Sequence, residues 1–329
     1  MALLPWCEAP FQRLRQLREQ GRLGHAWLVA GPQGVGKLQF VQDVARWMFC
    51  SQPTSHGACG ECQDCHLFDV GTHPDWLLLQ PEKKQITVGQ VRELIDFAHN
   101  TSQRGAKVLV IAPAEAMNVN AANALLKILE EPPPETLLVL VSHQSGQLLA
   151  TLRSRCQQLQ LTLPERAQAL LWLREQGAEE AERLLDKAKG APLKALDLAH
   201  NDVLATQDTM LAQLQALLDG KLTAIQAAKT CEKFAVQTSI EYLLSCCHDL
   251  LRALQAGLQP SEELRPLLNR LNQIGTAPAL LPALHAYQQQ VQAAYKVAVA
   301  PNNANALLML EALFGGWLKL RERLRRSRQ

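Results

Sequence analysis

A chain of 329 residues is long enough for two or three domains, each with its own core. Apolar residues make up 47% and charged residues 19%, which excludes extended disorder, and a net charge of +2 offers no overall reason to bind nucleic acid or an anionic membrane. Glu8, Arg13, Arg15, Arg18 and Glu19 interrupt the first twenty residues, so no secretory signal is read there. No run approaches the ~18 apolar residues of a membrane span, and the chain reads as cytosolic.

In chain order, the first half alternates short apolar runs with helical patterns. Strands are predicted over 27–30, 75–80, 107–112, 137–141 and 158–161, each with little polar alternation, as in strands buried on both faces. Helices are predicted over 37–49, 88–100 and 120–131, the last stopped by Pro132-Pro133-Pro134. Strands alternating with helices imply a parallel sheet covered on both sides. After Pro164 the strand signal ends and Leu and Ala recur at helical spacing. Residues 165–200 read as two or three short helices broken at Gly177 and at Gly190-Ala191-Pro192. Residues 206–325 read as five or so longer ones, punctuated near Gly220, Gly257, Gly275 and Pro301. The expected organisation is an α/β parallel-sheet domain over 1–164, a small helical domain over 165–205 and an all-helical domain over 206–329.

Gly31-Pro32-Gln33-Gly34-Val35-Gly36-Lys37 fits G-x-x-x-x-G-K between a strand and a helix. In that setting the glycines let backbone N–H groups turn around phosphate oxygens, and the lysine reaches the terminal phosphates. The next residue should be Ser or Thr, whose hydroxyl ligates Mg²⁺, but it is Leu38. Hydrolysis also needs acids at the end of a neighbouring strand, and the natural candidate, 107–112, runs into Pro113-Ala114. Glu115 is the one acid near enough to stand in. Loss of a general base alone costs roughly 10²–10⁴ in rate. The cradle is therefore expected to persist without the chemistry; ATP or ADP binding is doubtful and Mg²⁺ is not expected.

Nine cysteines divide into a cluster and a scatter. Cys50, Cys59, Cys62 and Cys65, on an insertion at 50–65, match a closed tetrahedral Zn²⁺ site, which is structural rather than catalytic. An iron–sulfur motif would call for a Cys-Pro near residue 69, where Asp69-Val70 stands. His56 and His66 are spare candidate ligands, though such histidines are more often simply exposed. Glu61, Asp64 and Asp69 flank the cluster in place of a basic patch. Cys7, Cys156, Cys231, Cys246 and Cys247 read as small buried apolar residues.

Taken together, these residues resemble the AAA+ subunits of bacterial sliding-clamp loaders. The resemblance covers residues 1 to about 205 and is carried by His25-Ala26-Trp27-Leu28, the phosphate loop, the four cysteines and Gly71-Thr72-His73-Pro74-Asp75. It continues through Asn120-Ala121-Ala122-Asn123-Ala124-Leu125-Leu126-Lys127-Ile128-Leu129-Glu130-Glu131-Pro132-Pro133 and Leu152-Arg153-Ser154-Arg155-Cys156. It implies a P-loop AAA+ domain, a small helical lid and an all-helical collar. Where active members carry the Ser/Thr, the acid pair and an arginine in the lid, this chain has Leu38, Pro113-Ala114 and Leu193. Ser142 matches the family's phosphate-sensing polar residue. The retained Ser-Arg-Cys implies that Arg155 acts in trans as an arginine finger on a neighbour's ATP, while Arg153 is read as making a local ion pair.

The resemblance thus implies a non-hydrolysing subunit of a DNA polymerase III clamp loader, within a DNA-directed DNA polymerase holoenzyme in the bacterial cytoplasm. Its implied partners are the gamma/tau motor subunits and the delta subunit, with the sliding clamp and primer-template DNA reached through the complex. The segment 302–314 would belong to the collar, and 319–328, with six basic residues, reads as a frayed, solvated helix end. Two alternatives compete: an ATP-hydrolysing motor-type subunit using Glu115, and a zinc-dependent DNA-binding module.

Overall fold

The computed structural model describes residues 3–82, 84–299 and 305–328. Two compact units make up the chain, Met1–Asp197 and Leu198–Gln329. The first begins with α1 (Glu8–Glu19), β1 (Ala26–Ala30), α2 (Lys37–Phe49), α3 (Gln63–Asp69), β2 (Trp76–Leu79) and α4 (Val88–His99). It continues with β3 (Lys107–Ile111), α5 (Val119–Glu130), β4 (Thr136–Ser142), α6 (Ala150–Arg153) and β5 (Gln157–Gln160).

The five strands form one parallel sheet in the order β2-β3-β4-β1-β5. β1, β3 and β4 are buried along their whole length, as their uninterrupted apolar runs require. Period-two alternation then divides their side chains between two cores. Trp27, Val29, Val108, Val110, Val139 and Val141 face a layer holding Phe11 and Leu14 of α1 with Phe40, Val41 and Val44 of α2. Leu28, Leu109, Ile111, Leu138 and Leu140 face Val91 and Leu94 of α4 with Leu125, Ile128 and Leu129 of α5. The expectation of burial on both faces fails at the edges. β2 is half-buried throughout, and only Leu159 of β5 is buried, because an edge strand has a neighbour on one side only.

Polar groups set the helix ends on the side carrying α4 and α5. Thr87 and Gln90 form a capping box at the start of α4, and Asn118 caps α5 by accepting from the Ala121 N–H. Lys107, buried at the start of β3, donates to the carbonyls of Phe97 and Asn100 and so closes the other end of α4. Asp75 of the His-Pro-Asp run is buried too and accepts from the N–H groups of Gln103 and Arg104 at 3.1 and 2.8 Å. That run is therefore a loop clasp in front of β3.

Three short helices follow the sheet: α7 (Arg166–Glu175), α8 (Ala181–Lys187) and α9 (Pro192–His200). The second unit contains α10 (Val203–Asp219), α11 (Ala224–Cys231), α12 (Val236–Ala256), α13 (Arg265–Ile274), α14 (Ala277–Val299) and α15 (Ala306–Arg326). These are six helices rather than five or so, because the chain also breaks between α11 and α12, where neither Gly nor Pro announces it. The break read at Pro301 and the start of the 302–314 segment lie outside the described residues. The segment 319–328 is not a frayed end. α15 continues to Arg326 with Leu320 and Leu324 buried, Arg321 donates to the Leu217 carbonyl at 2.6 Å, and Arg328 donates to that of Gln273. The five scattered cysteines are all buried.

Leu140 sits fully buried at the centre of β4, paired with Leu28 and Ile111. Leu140→Ala is expected to lower unfolding stability by about 2–5 kcal/mol, the range for a buried leucine whose cavity cannot collapse. Urea denaturation followed by circular dichroism would measure it.

Candidate functional site

The carboxyl ends of β1, β3 and β4 lie side by side, and the loop from β1 into α2 crosses that edge. Its lysine does not point outward. Lys37 is 3% exposed, and its ammonium donates to the carbonyls of Gly31 at 2.7 Å and Pro32 at 2.6 Å, both in its own loop. Burial pulls the lysine down to about 8, and the Glu115 carboxylate opposes that by favouring the charged form.

The loop's outer side is covered by the chain itself. Gly34 gives its carbonyl to the Leu193 N–H at 3.0 Å, and Gly34 lies so close to α9 that a methyl group there would come within 2.6 Å of the Lys194 Cβ. Gly36, at φ 87°, has Leu4 against it; a Cβ at that position would meet the Leu4 Cδ1 at 2.2 Å. Trp6 donates its indole N–H to the Val35 carbonyl at 2.9 Å, and its ring stands edge-on to Trp172 of α7 at 5.3 Å. Leu4, Leu193 and Lys194 thus pack against the loop's glycines, and the lysine that would reach a terminal phosphate is held by carbonyls of its own loop. Leu4 and Trp6 escaped the sequence reading, because nothing local marks a contact made about thirty residues away.

Around the lysine, the groups that hydrolysis would need are missing or engaged. Leu38 carries no ligand atom, and β3 ends at Ile111 before Ala112-Pro113-Ala114. Glu115 does reach this edge, but one of its oxygens accepts the His143 backbone N–H at 2.9 Å. Its other oxygen and the His143 Nδ1 are buried without partners. Ser142 is fully buried at the end of β4, and its hydroxyl accepts from the Gln144 N–H at 3.1 Å, a turn within the strand end.

The four clustered cysteines converge on one point between α2 and α3. Their sulfurs all lie within 4.8 Å of one another, with Cys50 at 3.4 Å from Cys59 and 3.9 Å from Cys62. A tetrahedral ion with Zn–S bonds of ~2.3 Å requires sulfurs ~3.8 Å apart, so the set fits zinc. Backbone N–H groups point at the sulfurs as they would at thiolates: Cys59 toward Cys50, Glu61 and Cys62 toward Cys59, and Cys65 toward Cys62. The N–H groups of Glu61 and Cys62 hold the Cys59 thiol below its usual range.

His56 and His66 are exposed and stand outside the set. Of the flanking acids, Asp69 pairs with Arg46 at 2.5 Å and the buried Asp64 with Arg104 at 3.0 Å. His73 lies 3.9 Å from Asp64 and stacks on Phe49, so the insertion is pinned to the domain by its own polar groups.

Arg155 stands in the turn between α6 and β5, held in place by the buried neighbours Leu152 and Cys156. Its side chain is 36% exposed, with one Nη on the Glu130 carboxylate at 2.6 Å and the other on the Thr151 carbonyl at 3.1 Å. The ion pair expected of Arg153 belongs instead to Arg155. Arg153 is half-buried with its Nε unpartnered, and it makes no ion pair among the described residues.

Comparison with known proteins places this edge in a lineage. Residues 7–165 match the family model described as DNA polymerase III, delta subunit. The chain is 36% identical to the DNA polymerase III subunit delta' of Pseudomonas aeruginosa over 97% of its own length and 98% of that protein. It is also 36% identical to the subunit of that name from Escherichia coli, over 65% of this chain and 66% of that one. Among solved structures, a gamma subunit-related protein from Thermotoga maritima covers 94% of this chain and 99% of that one, at 17% identity and a TM-score of 0.41. Among the described residues no helix is long and apolar enough to cross a membrane. The 36% identity over nearly the whole of both chains makes this chain a member of the DNA polymerase III delta' subunit family.

Proposed function

We propose that this chain is a non-hydrolysing, stator-like subunit of the clamp loader that places the sliding clamp on primed DNA, and that Arg155 serves the ATP site of a neighbouring subunit. The observation that carries the first half is the self-satisfied phosphate loop: Lys37 is held by its own loop's carbonyls, Leu38 follows it in place of a hydroxyl residue, and Leu4, Leu193 and Lys194 pack against the loop's glycines. A loop so closed gains nothing from nucleotide and instead anchors α9 and the N-terminal segment to the sheet.

The second half rests on what remains exposed. A guanidinium is planar and permanently charged, and it can bind phosphate oxygens while neutralising charge that develops in phosphoryl transfer. Arg155 is such a group on a loop with rigid flanks at the amino ends of the strands, opposite the phosphate loop and available to a partner placed there. The gamma/tau motor subunits and the delta subunit are the proposed partners, in the bacterial cytoplasm. The chain would then contribute to a polymerase holoenzyme through geometry and one charge.

Zinc would be held by Cys50, Cys59, Cys62 and Cys65. With all four positions filled by sulfur it would supply cohesion to the insertion and no chemistry.

Two measurements test this reading. In a complex reconstituted with its motor and delta partners, Arg155→Ala is expected to leave assembly intact and to lower DNA- and clamp-stimulated ATP turnover by at least tenfold at the adjacent site. That is a cautious fraction of the roughly 10³–10⁵ an arginine finger contributes. The isolated chain is expected to show no turnover; hydrolysis abolished by Lys37→Ala would instead make it a motor-type subunit using Glu115.

For the metal, atomic absorption should find one zinc per chain. Chelation, or Cys59→Ser with Cys62→Ser, should lower the melting temperature by ~4–8 °C, the equivalent of a loss of about 2 kcal/mol in a unit of this size. Metal-free protein with an unchanged melting curve would remove zinc from the account.

A further inference from the structure

We infer that Glu130 is a positioning residue for Arg155, fixing the guanidinium before a neighbouring subunit arrives; this rests on the arginine-finger reading above. Glu130 is the last residue of α5, and Arg155 lies in the turn after α6, so the pair joins two elements across the edge of the sheet. The carboxylate takes an Nη at 2.6 Å while the Thr151 carbonyl takes the other at 3.1 Å. Two of the five N–H donors of a guanidinium are thereby engaged, and three are left for an acceptor from outside the chain.

Neither helix stability nor fold stability accounts for a carboxylate at this position. A negative side chain at the C-terminus of a helix meets the negative end of the helix dipole, the unfavourable arrangement. Both partners are substantially exposed, at 36% for Arg155 and 52% for Glu130, and pairs of that exposure add little to folding. What the contact does provide is restriction. An arginine has many rotamers, and ordering such a side chain when an interface forms is a cost that prior fixation removes. With its fork held from two directions, Arg155 would meet a phosphate without searching for its orientation. Rates would then depend on Glu130 through Arg155 alone, with an effect of roughly two- to tenfold, the value of ordering one such side chain.

The test uses the reconstituted complex with wild-type chain, Glu130→Gln, Glu130→Asp, Arg155→Ala and the Glu130→Gln/Arg155→Ala double variant. Assembly is followed by gel filtration and stability by thermal melting. Expected are a two- to tenfold fall in kcat for Glu130→Gln with KM and melting unchanged, partial recovery with Glu130→Asp, and no further fall when Glu130→Gln is added to Arg155→Ala. If Arg155→Ala lowers turnover and Glu130→Gln does not, or if Glu130→Gln raises it, the positioning role is wrong and the pair is incidental or a restraint. An equal fall from Glu130→Gln in both backgrounds would also overturn it, because Glu130 would then act independently of the arginine. Unchanged turnover in Arg155→Ala would overturn the finger reading itself.

Discussion

The burial of β1 between β4 and β5 is the constraint on which the rest of the first unit depends. That pairing sets the carboxyl ends of β1 and β4 beside each other, brings Gly31 against the end of β5, and starts α2 where Lys37 must lie close to the sheet. A buried ammonium is costly unless it is hydrogen-bonded, and here the phosphate loop's own carbonyls supply the acceptors. Once the lysine is turned inward, the loop presents an apolar, close-packed surface to the segments around it. Leu4 and Leu193 then pack directly against its Gly36.

The same edge illustrates how a site can lose its chemistry without losing its architecture. Glu115 is close enough to Lys37 for its charge to be felt, yet one of its oxygens is bonded to the backbone N–H of His143 while its other oxygen is buried without a partner. Leu38 and Pro113-Ala114 offer no side-chain oxygen where a metal ligand and a water-positioning acid would be needed, although the strand order and the start of α2 set the loop at the sheet's carboxyl ends. At the opposite end of the sheet, where β5 begins, Arg155 stays partly exposed on its Glu130 partner.

The cysteine insertion follows a separate logic. Two of its flanking acids, which from spacing alone only argue against a nucleic-acid surface, are paired, Asp69 with Arg46 and the buried Asp64 with Arg104. With the sulfurs already gathered and N–H groups aimed at them, the loop has the donor set of a closed metal site and is fixed beside α2.

By itself the sequence determined all five strands and the helices α2, α4 and α5 of the first unit, since uninterrupted apolar runs and helical periodicity are local properties, but it did not announce α1, α3 or α6. It determined the α2 span, Lys37–Phe49, and placed all five strands to within a residue or so. It also marked the loop, the four cysteines and Arg155, because motifs with fixed spacing survive without coordinates. Only the tertiary structure decided that β2 and β5 are edges, that α15 packs to its end, and that a turn without Gly or Pro separates α11 from α12. It alone packed Leu4 and Leu193 against the phosphate loop and moved the expected ion pair from Arg153 to Arg155. Apart from that turn, these are contacts between segments about 25 to 160 residues apart, and no local propensity encodes which distant side chain will occupy a given space.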